Sequence, residues 1–255
     1  MKIASWNVNS LKIRLPQLLA WLGSEHPDIV CLQETKLEDS SFPSLELEAC
    51  GYRAAFAGQK TYNGVALLTR ERPSNVVVGN PLLRDVQMRL LTATVGDICV
   101  VCAYVPNGQA VGSEKYAYKL AWLDALRRWI GEGLRGNPNL ILAGDFNIAP
   151  EDRDVHDPLA WSGQILCSDA ERSAYQALLD LGLHDSFRLF AQAEKSFSWW
   201  DYRMLGFQKN HGLRIDHILL SSPLADRCTA AGIRREMRKL ERPSDHAPVT
   251  AELTD

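Results

Sequence analysis

The chain has 255 residues, enough for one large domain or two small ones with a sizeable core. Its composition, 46% hydrophobic and 23% charged, excludes a fibrous or intrinsically disordered chain. The net charge of −3 gives no global signature of a nucleic-acid-binding protein, although a basic rim around an acidic site can cancel in the sum. We expect neither a signal peptide nor a membrane span, because residues 1–7 are strand-like and no apolar run is long enough.

The first half of the chain predicts a strand–helix–strand unit followed by an antiparallel meander. Strand-like runs at 2–6 and 28–36 flank apolar residues at helical spacing over 11–22, where Pro16 interrupts the early part. Shorter strands separated by turn signals are then predicted, in chain order, at 51–57, 64–69, 76–78, 89–95 and 98–105.

The second half alternates helices, strands and long polar loops. Residues 113–134 predict an amphipathic helix whose aromatic stripe faces the core. The polar segment 151–170 has no clear period, and a connection of that length in a compact domain is often functional. Further predicted elements are a strand at 140–143, a helix at 171–181, an aromatic segment at 197–202, a polar loop at 203–212, a strand at 213–221, a basic segment at 233–242 and a turn with a last strand at 243–253.

No linker or low-complexity tract divides the chain, so we expect a single catalytic domain over 1–255. Each half has a core strand ending in an Asx-x-Asn pair and later gains an acidic strand end. This internal similarity predicts two similar sheets that face each other and share a polar rim.

The cysteines predict buried thiols rather than a metal or redox site. Cys99 and Cys102 form a C-x-x-C pair, but both lie in the apolar run 98–105. No second cysteine or histidine pair accompanies them, and a structural zinc site needs four ligands. Reduced thiols are typical of a cytoplasmic protein. The six cysteines are Cys31, Cys50, Cys99, Cys102, Cys167 and Cys228.

Asp145 and Asn147 follow the apolar run 140–143, where a buried strand ends. In extended backbone, residues i and i+2 point the same way, so the two side chains would project together from the strand end. Strand ends are common places for chemistry in α/β proteins, whereas an ordinary Asp/Asn turn is the alternative interpretation. Asn7 and Asn9 repeat the pattern after the first strand.

Polar side chains stand at six strand or turn ends, and together they predict one pocket. A charged group inside a strand-like run, such as Asp216, is costly to bury unless it is paired. The set contains carboxylates, amides, a tyrosine and one histidine: Asn7, Asn9, Glu34, Tyr104, Asn107, Asp145, Asn147, Asp216, Asp245 and His246. We find neither a Ser–His–Asp elbow nor a glycine-rich phosphate loop.

The chemistry of this set indicates metal-assisted phosphodiester hydrolysis. Carboxylate oxygens with few thiol or imidazole ligands favour Mg²⁺ or Mn²⁺ over Zn²⁺, and Mg²⁺ needs only one or two protein carboxylates. Amides donate to phosphate oxygens without adding charge. A histidine stabilises or protonates those oxygens near neutral pH, and a buried acid such as Asp216 suits as the partner that fixes its tautomer. A second carboxylate near the metal takes a proton from water.

Six ordered motifs between residues 1 and 253 resemble those of the exonuclease III family, abasic-site endonucleases and 3′ exonucleases within the endonuclease/exonuclease/phosphatase superfamily. The motifs are Ser5-Trp-Asn-Val-Asn9, Leu32-Gln-Glu-Thr-Lys36, Gly64-Val-Ala-Leu-Leu-Thr69, Gly144-Asp-Phe-Asn147, Leu213-Arg-Ile-Asp216 and Ser244-Asp-His-Ala-Pro248. The resemblance implies a four-layer α/β sandwich, with two mixed β-sheets packed face to face and flanked by helices. It further implies a Mg²⁺-dependent DNA-repair nuclease, with Mn²⁺ as a substitute. The substrate would be duplex DNA with abasic sites, nicks or blocked 3′ ends, and we expect a monomer.

The resemblance also implies ligands for the metal. Glu34 resembles the principal metal carboxylate, with Asn7 and Asp245 close to the metal. Some members of the family carry Asp where this chain has Asn9, so we expect one metal rather than two.

The remaining matched positions resemble residues that act on water and phosphate. Asp145 resembles the residue that orients or deprotonates the attacking water, and Asn147 the amide that positions the water or the phosphate. His246 resembles the imidazole on the scissile phosphate, and Asp216 its orienting partner. Two further positions resemble phosphate contacts, namely Tyr104 and Asn107.

Contacts with DNA have separate candidates. Trp199, Leu213 and Ile215 resemble the apolar pocket that receives an extruded abasic deoxyribose, which shape and apolar fit must select because it has no base to recognise. Arg203 and Lys209 in the following loop are candidates for backbone or groove contacts, together with His211. Lys36 and Arg70 are further phosphate candidates. The basic residues of 233–242 are either phosphate contacts or a solvated face, and they are Arg234, Arg235, Arg238, Lys239 and Arg242.

Two other functions compete with a DNA-repair nuclease. A relative acting on lipid or inositol phosphodiesters would share the central residues but not the segment from Trp199 to Asp216. A non-catalytic nucleic-acid-binding regulator on the same fold would have lost catalytic positions. All six of the central ones are present here, namely Glu34, Asp145, Asn147, Asp216, Asp245 and His246.

Overall fold

Two six-stranded mixed β-sheets form the centre of the computed structural model, which describes residues 1–254. In chain order the strands are β1 (Lys2–Asn7), β2 (Ile29–Gln33), β3 (Arg53–Ala57), β4 (Val65–Thr69), β5 (Ser74–Val78), β6 (Leu90–Val95), β7 (Ile98–Tyr104), β8 (Leu140–Asp145), β9 (Leu183–Asp185), β10 (Trp199–Trp200), β11 (Gly212–Leu213), β12 (Asp216–Ser221), β13 (Cys228–Ile233) and β14 (Val249–Leu253). The helices are α1 (Leu11–Glu25), α2 (Ser44–Ala49), α3 (Glu114–Gly136), α4 (Pro158–Trp161), α5 (Asp169–Leu179) and α6 (Ser222–Ala225). Single 3₁₀ turns lie at Asp39–Ser41, Asp152–Asp154, Ser186–Leu189, Arg203–Leu205 and Arg235–Lys239.

The two sheets have similar topologies. The first has the order β13-β14-β1-β2-β4-β3, and the second β5-β6-β7-β8-β12-β9. Each contains one parallel pair, β1–β2 in the first and β7–β8 in the second, with antiparallel neighbours on both sides. β10 and β11 form a separate two-stranded ribbon.

Three apolar layers hold the four structural layers together. A core between the sheets contains Ile3 and Leu67 from the first sheet and Val100 and Ile141 from the second. Outside the second sheet, α3 and α5 cover a cluster that includes Trp122. Outside the first, α1 and α2 cover a third cluster. Both faces of the central strands are therefore buried, which explains their nearly continuous apolar sequences. The predicted four-layer sandwich is confirmed.

The helix predictions are confirmed in position, with one correction. Pro16 does not interrupt the first helix, because α1 runs from Leu11 to Glu25 with Pro16 inside it. Pro16 is exposed, so the carbonyl that loses its helical hydrogen bond can bind water instead. The third helix begins at Glu114, where the Ser113 hydroxyl accepts the Tyr116 N–H and caps the helix.

One prediction for the second half of the chain is wrong in detail. The strand predicted at 213–221 is split, because the backbone N–H of Arg214 donates to Asp154 O and that of Ile215 to the Ser198 hydroxyl. Its first part pairs with the Trp199 ribbon, and its second part joins the second sheet as β12. The segment 151–170, which showed no clear period in the sequence, contains a 3₁₀ turn and α4.

The cysteine prediction holds for the C-x-x-C pair. Cys102 faces the core between the sheets, whereas Cys99 packs on the helical side of β7. Among residues 1–254, neither thiol belongs to a group of potential metal ligands. Within the same residues, none of the helices combines the length and the hydrophobicity that crossing a membrane requires.

Candidate active site

Asp145 and Asn147 lie close together because of a turn rather than extended backbone. The Asp145 Oδ1 atom accepts the Asn147 N–H at 2.9 Å, and Asn147 has φ 50°, so β8 ends in an Asx turn. Asn7 and Asn9 form the same turn after β1, with a 2.9 Å bond from Asn9 N–H to Asn7 Oδ1 and φ 41° at Asn9. The prediction that extended backbone makes the side chains of Asp145 and Asn147 point the same way was therefore wrong. The alternative, an Asp/Asn turn, is correct and forms part of the site.

Asn7 joins the two sheets at this edge. Its amide nitrogen donates to Glu34 Oε1 at 2.8 Å and to Asp145 Oδ2 at 2.9 Å. Gly144, next to Asp145, permits the close approach of β7, because a Cβ there would lie 1.8 Å from Ala103 O. The polar ends of β1, β2 and β8 consequently meet in one place, as the sequence predicted.

Asp216 and His246 form a buried ion pair beside Asp145. Asp216 lies directly opposite Asp145 in the β8–β12 register, and its Oδ2 atom is 2.9 Å from His246 Nδ1. The other ring nitrogen, Nε2, faces Asp145 Oδ2 at 3.8 Å. Burial opposes the charged imidazolium, but the carboxylates of Asp216 and Asp145 outweigh it and raise the pKa of His246 to about 10.

The pKa of Asp145 is shifted in the opposite direction from those of Glu34 and Asp245. Burial raises its pKa to about 7, against the lowering effect of His246, and Asp216 adds to the rise. Burial also acts on Glu34, but Lys36 and Asn7 outweigh it and lower the pKa of Glu34. A carboxylate poised near neutrality is suited to proton transfer, whereas one that stays ionised is suited to binding a cation.

Ser198 supports Asp216 and was not identified from the sequence. Its hydroxyl donates to Asp216 Oδ2 at 2.6 Å and accepts the backbone N–H groups of Ile215 and Asp216, each at 3.1 Å. The hydroxyl is fully buried. A serine between two aromatic residues gives no sequence signal for such a role.

Replacing Ser198 with alanine is expected to destabilise the fold by about 1–3 kcal/mol, because two buried N–H groups lose their acceptor. The turnover number is also expected to fall, since Asp216 loses one of the two groups that fix it. Urea unfolding and single-turnover cleavage of DNA measure the two effects. Ser196→Ala removes a comparable hydroxyl that bonds only to Ala193 O and is the matched control, expected to behave as wild type.

Two groups of side chains are candidates for holding a divalent cation. Asp145, Asp216 and His246 offer ligand atoms within 4.8 Å of one another, but the cationic imidazole among them repels a metal ion. Glu34 and Asp245 form the better set. Burial would raise the pKa of Asp245, but its neighbours, His246 first, lower it, so both carboxylates are ionised. Their hard oxygen atoms fit Mg²⁺.

Hydrogen bonds link Glu34 and Asp245, the two candidate cation ligands. The Lys36 ammonium lies 2.8 Å from Glu34 Oε2 and 2.5 Å from Asn9 Oδ1. Asn9 in turn donates to Asp245 Oδ1 at 2.9 Å. Lys36 was predicted to contact DNA, and here it neutralises Glu34. Asn9 serves as a donor to Asp245, a role that an aspartate could not fill while ionised.

The amides and the tyrosine border the same site. Asn107 donates through Nδ2 to Asn147 Oδ1 at 3.1 Å, and Asn147 donates to Val105 O at 3.0 Å. Burial, followed by the Glu34 and Asp145 carboxylates, raises the pKa of Tyr104 well above its usual range. Its hydroxyl therefore remains a hydrogen-bond donor at every physiological pH. The guanidinium of Arg89, not identified from the sequence, lies 4.6 Å from the Tyr104 ring centroid.

The three residues predicted to line an abasic-sugar pocket lie together. Trp199 pairs with Leu213 across the ribbon, and both belong with Ile215 to a small apolar cluster. Leu213 and Ile215 are buried, so the cluster is packed, and only Trp199 presents part of its surface. The Trp199 indole N–H donates to Asp245 Oδ2 at 3.0 Å, so the cluster contacts one of the two candidate cation ligands.

The loop after Trp200 carries exposed charges. Arg203 is exposed and pairs with Asp201 at 2.8 Å, and Lys209 is exposed nearby. In the basic segment 233–242, Arg235, Lys239 and Arg242 are exposed, whereas Arg238 differs from both interpretations of the sequence. Arg238 is buried among aromatic rings and donates to Ser244 O, so it supports the loop that carries His246.

Comparison with known proteins agrees with this geometry. A sequence profile described as the endonuclease/exonuclease/phosphatase family matches residues 4–246. The chain belongs to that family. Exodeoxyribonuclease III of Haemophilus influenzae is 41% identical over 267 aligned residues, which cover 99% of this chain and all of that protein. The predicted resemblance to the exonuclease III group is thus confirmed.

Solved structures of the family superpose on the whole chain. The 3′ phosphatase NExo from Neisseria, bound to a product DNA hairpin, has a TM-score of 0.98 at 46% identity, with all of both chains covered. An AP endonuclease from Archaeoglobus fulgidus has a TM-score of 0.96 at 37% identity, again over both full chains. Because the chain belongs to this family, it is a hydrolytic enzyme. The buried site of acids, amides and histidine is its candidate active site.

Proposed function

We propose that the chain is a Mg²⁺-dependent DNA-repair nuclease that hydrolyses phosphodiesters 5′ to abasic sites and removes nucleotides or phosphate groups from 3′ ends of duplex DNA. The observation that carries the proposal is the contrast within one buried site. Asp145 has a pKa near neutrality, His246 is held cationic by Asp216, and Glu34 and Asp245 remain ionised. With these charges, Asp145 can accept a proton, His246 can bind phosphate as a cation, and Glu34 and Asp245 can bind a divalent cation.

The proposed reaction assigns a task to each side chain. Asp145 orients the attacking water through Oδ2 and accepts its proton. Asn147 holds the water or the phosphate through the amide proton that it does not use on Val105. The His246 imidazolium, oriented by Asp216, donates to a phosphate oxygen and stabilises the charge that develops there. Further donors to phosphate come from two residues at the end of β7, namely Tyr104 and Asn107.

Glu34 would hold a divalent cation, with Asp245 and Asn7 supplying further oxygen ligands. Bound there, Mg²⁺ or Mn²⁺ supplies Lewis-acid polarisation of the phosphate and charge stabilisation of the leaving oxygen. In this structure the Asn7 amide nitrogen donates to Glu34 and Asp145 and its oxygen accepts the Asn9 N–H, so the second lone pair of that oxygen would be available to a metal. Asn9 adds no negative charge, which favours a single metal ion.

DNA is the proposed substrate because of residues beyond the central set. Trp199, the partly exposed member of its cluster with Leu213 and Ile215, lies beside Asp245, where a sugar extruded from the duplex would meet its ring. Lys209 supplies positive charge in the following loop, and Lys36 and Arg203, which pair here with Glu34 and Asp201, are further proposed DNA contacts. The relatives bear names of DNA enzymes, including the Haemophilus exodeoxyribonuclease and the Neisseria phosphatase with its DNA product.

A panel of substrates tests the proposal. Abasic, nicked, recessed and 3′-phosphate duplexes are incubated with the protein and Mg²⁺, beside vesicles of sphingomyelin and of phosphoinositides. We expect cleavage of DNA and none of either lipid. Lipid hydrolysis without DNA cleavage would assign the chain to the lipid-directed branch. Equal rates on all four duplexes would show that the apolar cluster does not select its substrate.

We further propose that the chain acts as a monomer in the cytoplasm, with 1–255 forming one catalytic domain. The free cysteines support a reducing compartment.

A further inference from the structure

Lys119 and Glu171 form an ion pair with no exposed surface behind the active site. Lys119 belongs to α3, and Glu171 to the first turn of α5. Besides Glu171, the Lys119 ammonium donates to two backbone carbonyls, Asn147 O at 2.7 Å and Asn107 O at 3.2 Å. All three of its protons are therefore used, and two of them hold the residues whose amides border the site.

The Glu171 carboxylate holds a third segment. Its Oε1 atom accepts the Leu166 N–H at 3.1 Å, and its Oε2 atom accepts the Ser168 N–H at 3.1 Å and the Ser168 hydroxyl at 2.7 Å. Leu166 and Cys167 belong to the apolar cluster of Trp199 and Leu213. One ion pair thus fastens two turns of the catalytic site and a wall of the proposed sugar-binding cluster.

The held segments have conformations that need an external support. Asn147 and Leu166 have φ values of 50° and 72°, in the left-handed region that costs energy for residues other than glycine. Gly108, after Asn107, has φ 90°, and a Cβ there would lie 3.0 Å from Lys119 Cδ and 2.9 Å from Ile165 Cδ1. The Asn107 loop is therefore packed directly between the lysine stem and the cluster wall.

We propose that Lys119 and Glu171 are a positioning pair, which sets the amides of Asn107 and Asn147 against the cluster wall during phosphodiester hydrolysis. The inference rests on the proposed function and concerns residues that touch no substrate. A buried ion pair is a costly way to gain stability, because well-packed apolar residues of similar volume often stabilise a fold as well or better. Apolar residues cannot hold two carbonyls and two N–H groups, which explains why charges are found here.

The double variant Lys119→Met/Glu171→Leu tests this role, because it removes the anchors and leaves no unpaired charge. We expect a lower melting temperature than that of the wild type, because buried N–H and C=O groups lose their partners, so kcat is measured per folded molecule below the unfolding transition. On abasic and 3′-phosphate duplexes, kcat should fall about 100-fold, as expected for displacements of roughly 1 Å at reacting groups. KM for DNA should change little, because the variant keeps the proposed DNA contacts Lys36, Arg203 and Lys209. Tyr116→Phe is the matched control. It removes a hydroxyl bonded to Ser168 in the same buried region and should retain the wild-type kcat.

Glu171→Gln is a second, milder test, since it keeps the side-chain volume and one acceptor oxygen. It should lower kcat about tenfold per folded molecule, with KM unchanged. A folded double variant with wild-type kcat would overturn the inference, as would losses of activity that only match the loss of folded protein. If the double variant does not fold, the kcat of Glu171→Gln decides in the same way. The wild type assayed alongside separates this result from a failure of the proposed function, which would show as absent cleavage in every sample.

Discussion

Replacing Asp145 with asparagine is expected to lower the rate of DNA cleavage by about 10²–10⁴-fold, the usual contribution of a positioned proton acceptor. The amide keeps the shape of the side chain and can still accept the Asn147 N–H. It cannot take a proton from water. Single-turnover cleavage of an abasic duplex at saturating enzyme measures the effect on the chemical step alone.

Stability serves as the control for Asp145→Asn. The pKa of Asp145 is raised in the folded state from 3.8 to about 7, so the folded protein binds this proton more tightly than the unfolded chain does. The resulting stabilisation is present below pH 4 and is lost as the pH rises to about 7. The variant lacks this titration and should be at least as stable as the wild type at pH 8. DNA binding should persist, and retained cleavage would remove Asp145 from the mechanism.

The variant His246→Asn is expected to lower kcat by about 10²–10³-fold and to change the pH dependence in two ways. In the wild type, activity needs an ionised Asp145 and a protonated His246. Their pKa values of about 7 and about 10 predict a bell-shaped profile with apparent constants that belong to the coupled pair. A bound divalent cation moves the acid limb to lower pH, because positive charge favours the carboxylate. Without His246 the alkaline limb should disappear.

The acid limb of the His246→Asn profile should also move to higher pH. The positive charge of His246 lowers the pKa of Asp145, so its removal leaves burial and Asp216 to raise that pKa further. His211→Asn is the control, since this exposed histidine stacks on His156 and should leave both limbs in place. An unchanged profile in His246→Asn would show that another group titrates in the wild type.

The sequence identified the central site because its residues stand where apolar runs end. Glu34, Asp145 and Asp216 interrupt or terminate buried strands, and only paired or functional charges are tolerated there. The sequence could not specify how they meet. The Asx turns at Asn9 and Asn147 are local bonds between residues two apart, which the sequence offered only as an alternative to extended backbone. The split of the strand at Arg214 arises from hydrogen bonds between segments far apart in the chain.

The supporting residues were missed for a related reason. Lys119 lies in an amphipathic helix, where a lysine normally faces solvent, and only the partner from α5 explains its burial. Ser198 and Arg89 carry no pattern at all. Arg238 was taken for a surface cation, whereas it stacks on three aromatic rings. Roles that depend on a partner distant in sequence become visible only in the folded structure.

Analysis of the ends of the products formed with and without a divalent cation tests the central claim most directly. A duplex with one abasic site, labelled at its 5′ end, is incubated with protein freed of metal, then with Mg²⁺, and then with excess EDTA. We predict no cleavage without metal, incision 5′ to the abasic site with Mg²⁺ to leave a 3′-hydroxyl end that a polymerase extends, and arrest on adding EDTA. Cleavage that persists in EDTA, or products ending in a 3′-phosphate or an unsaturated sugar, would contradict metal-dependent hydrolysis at this site.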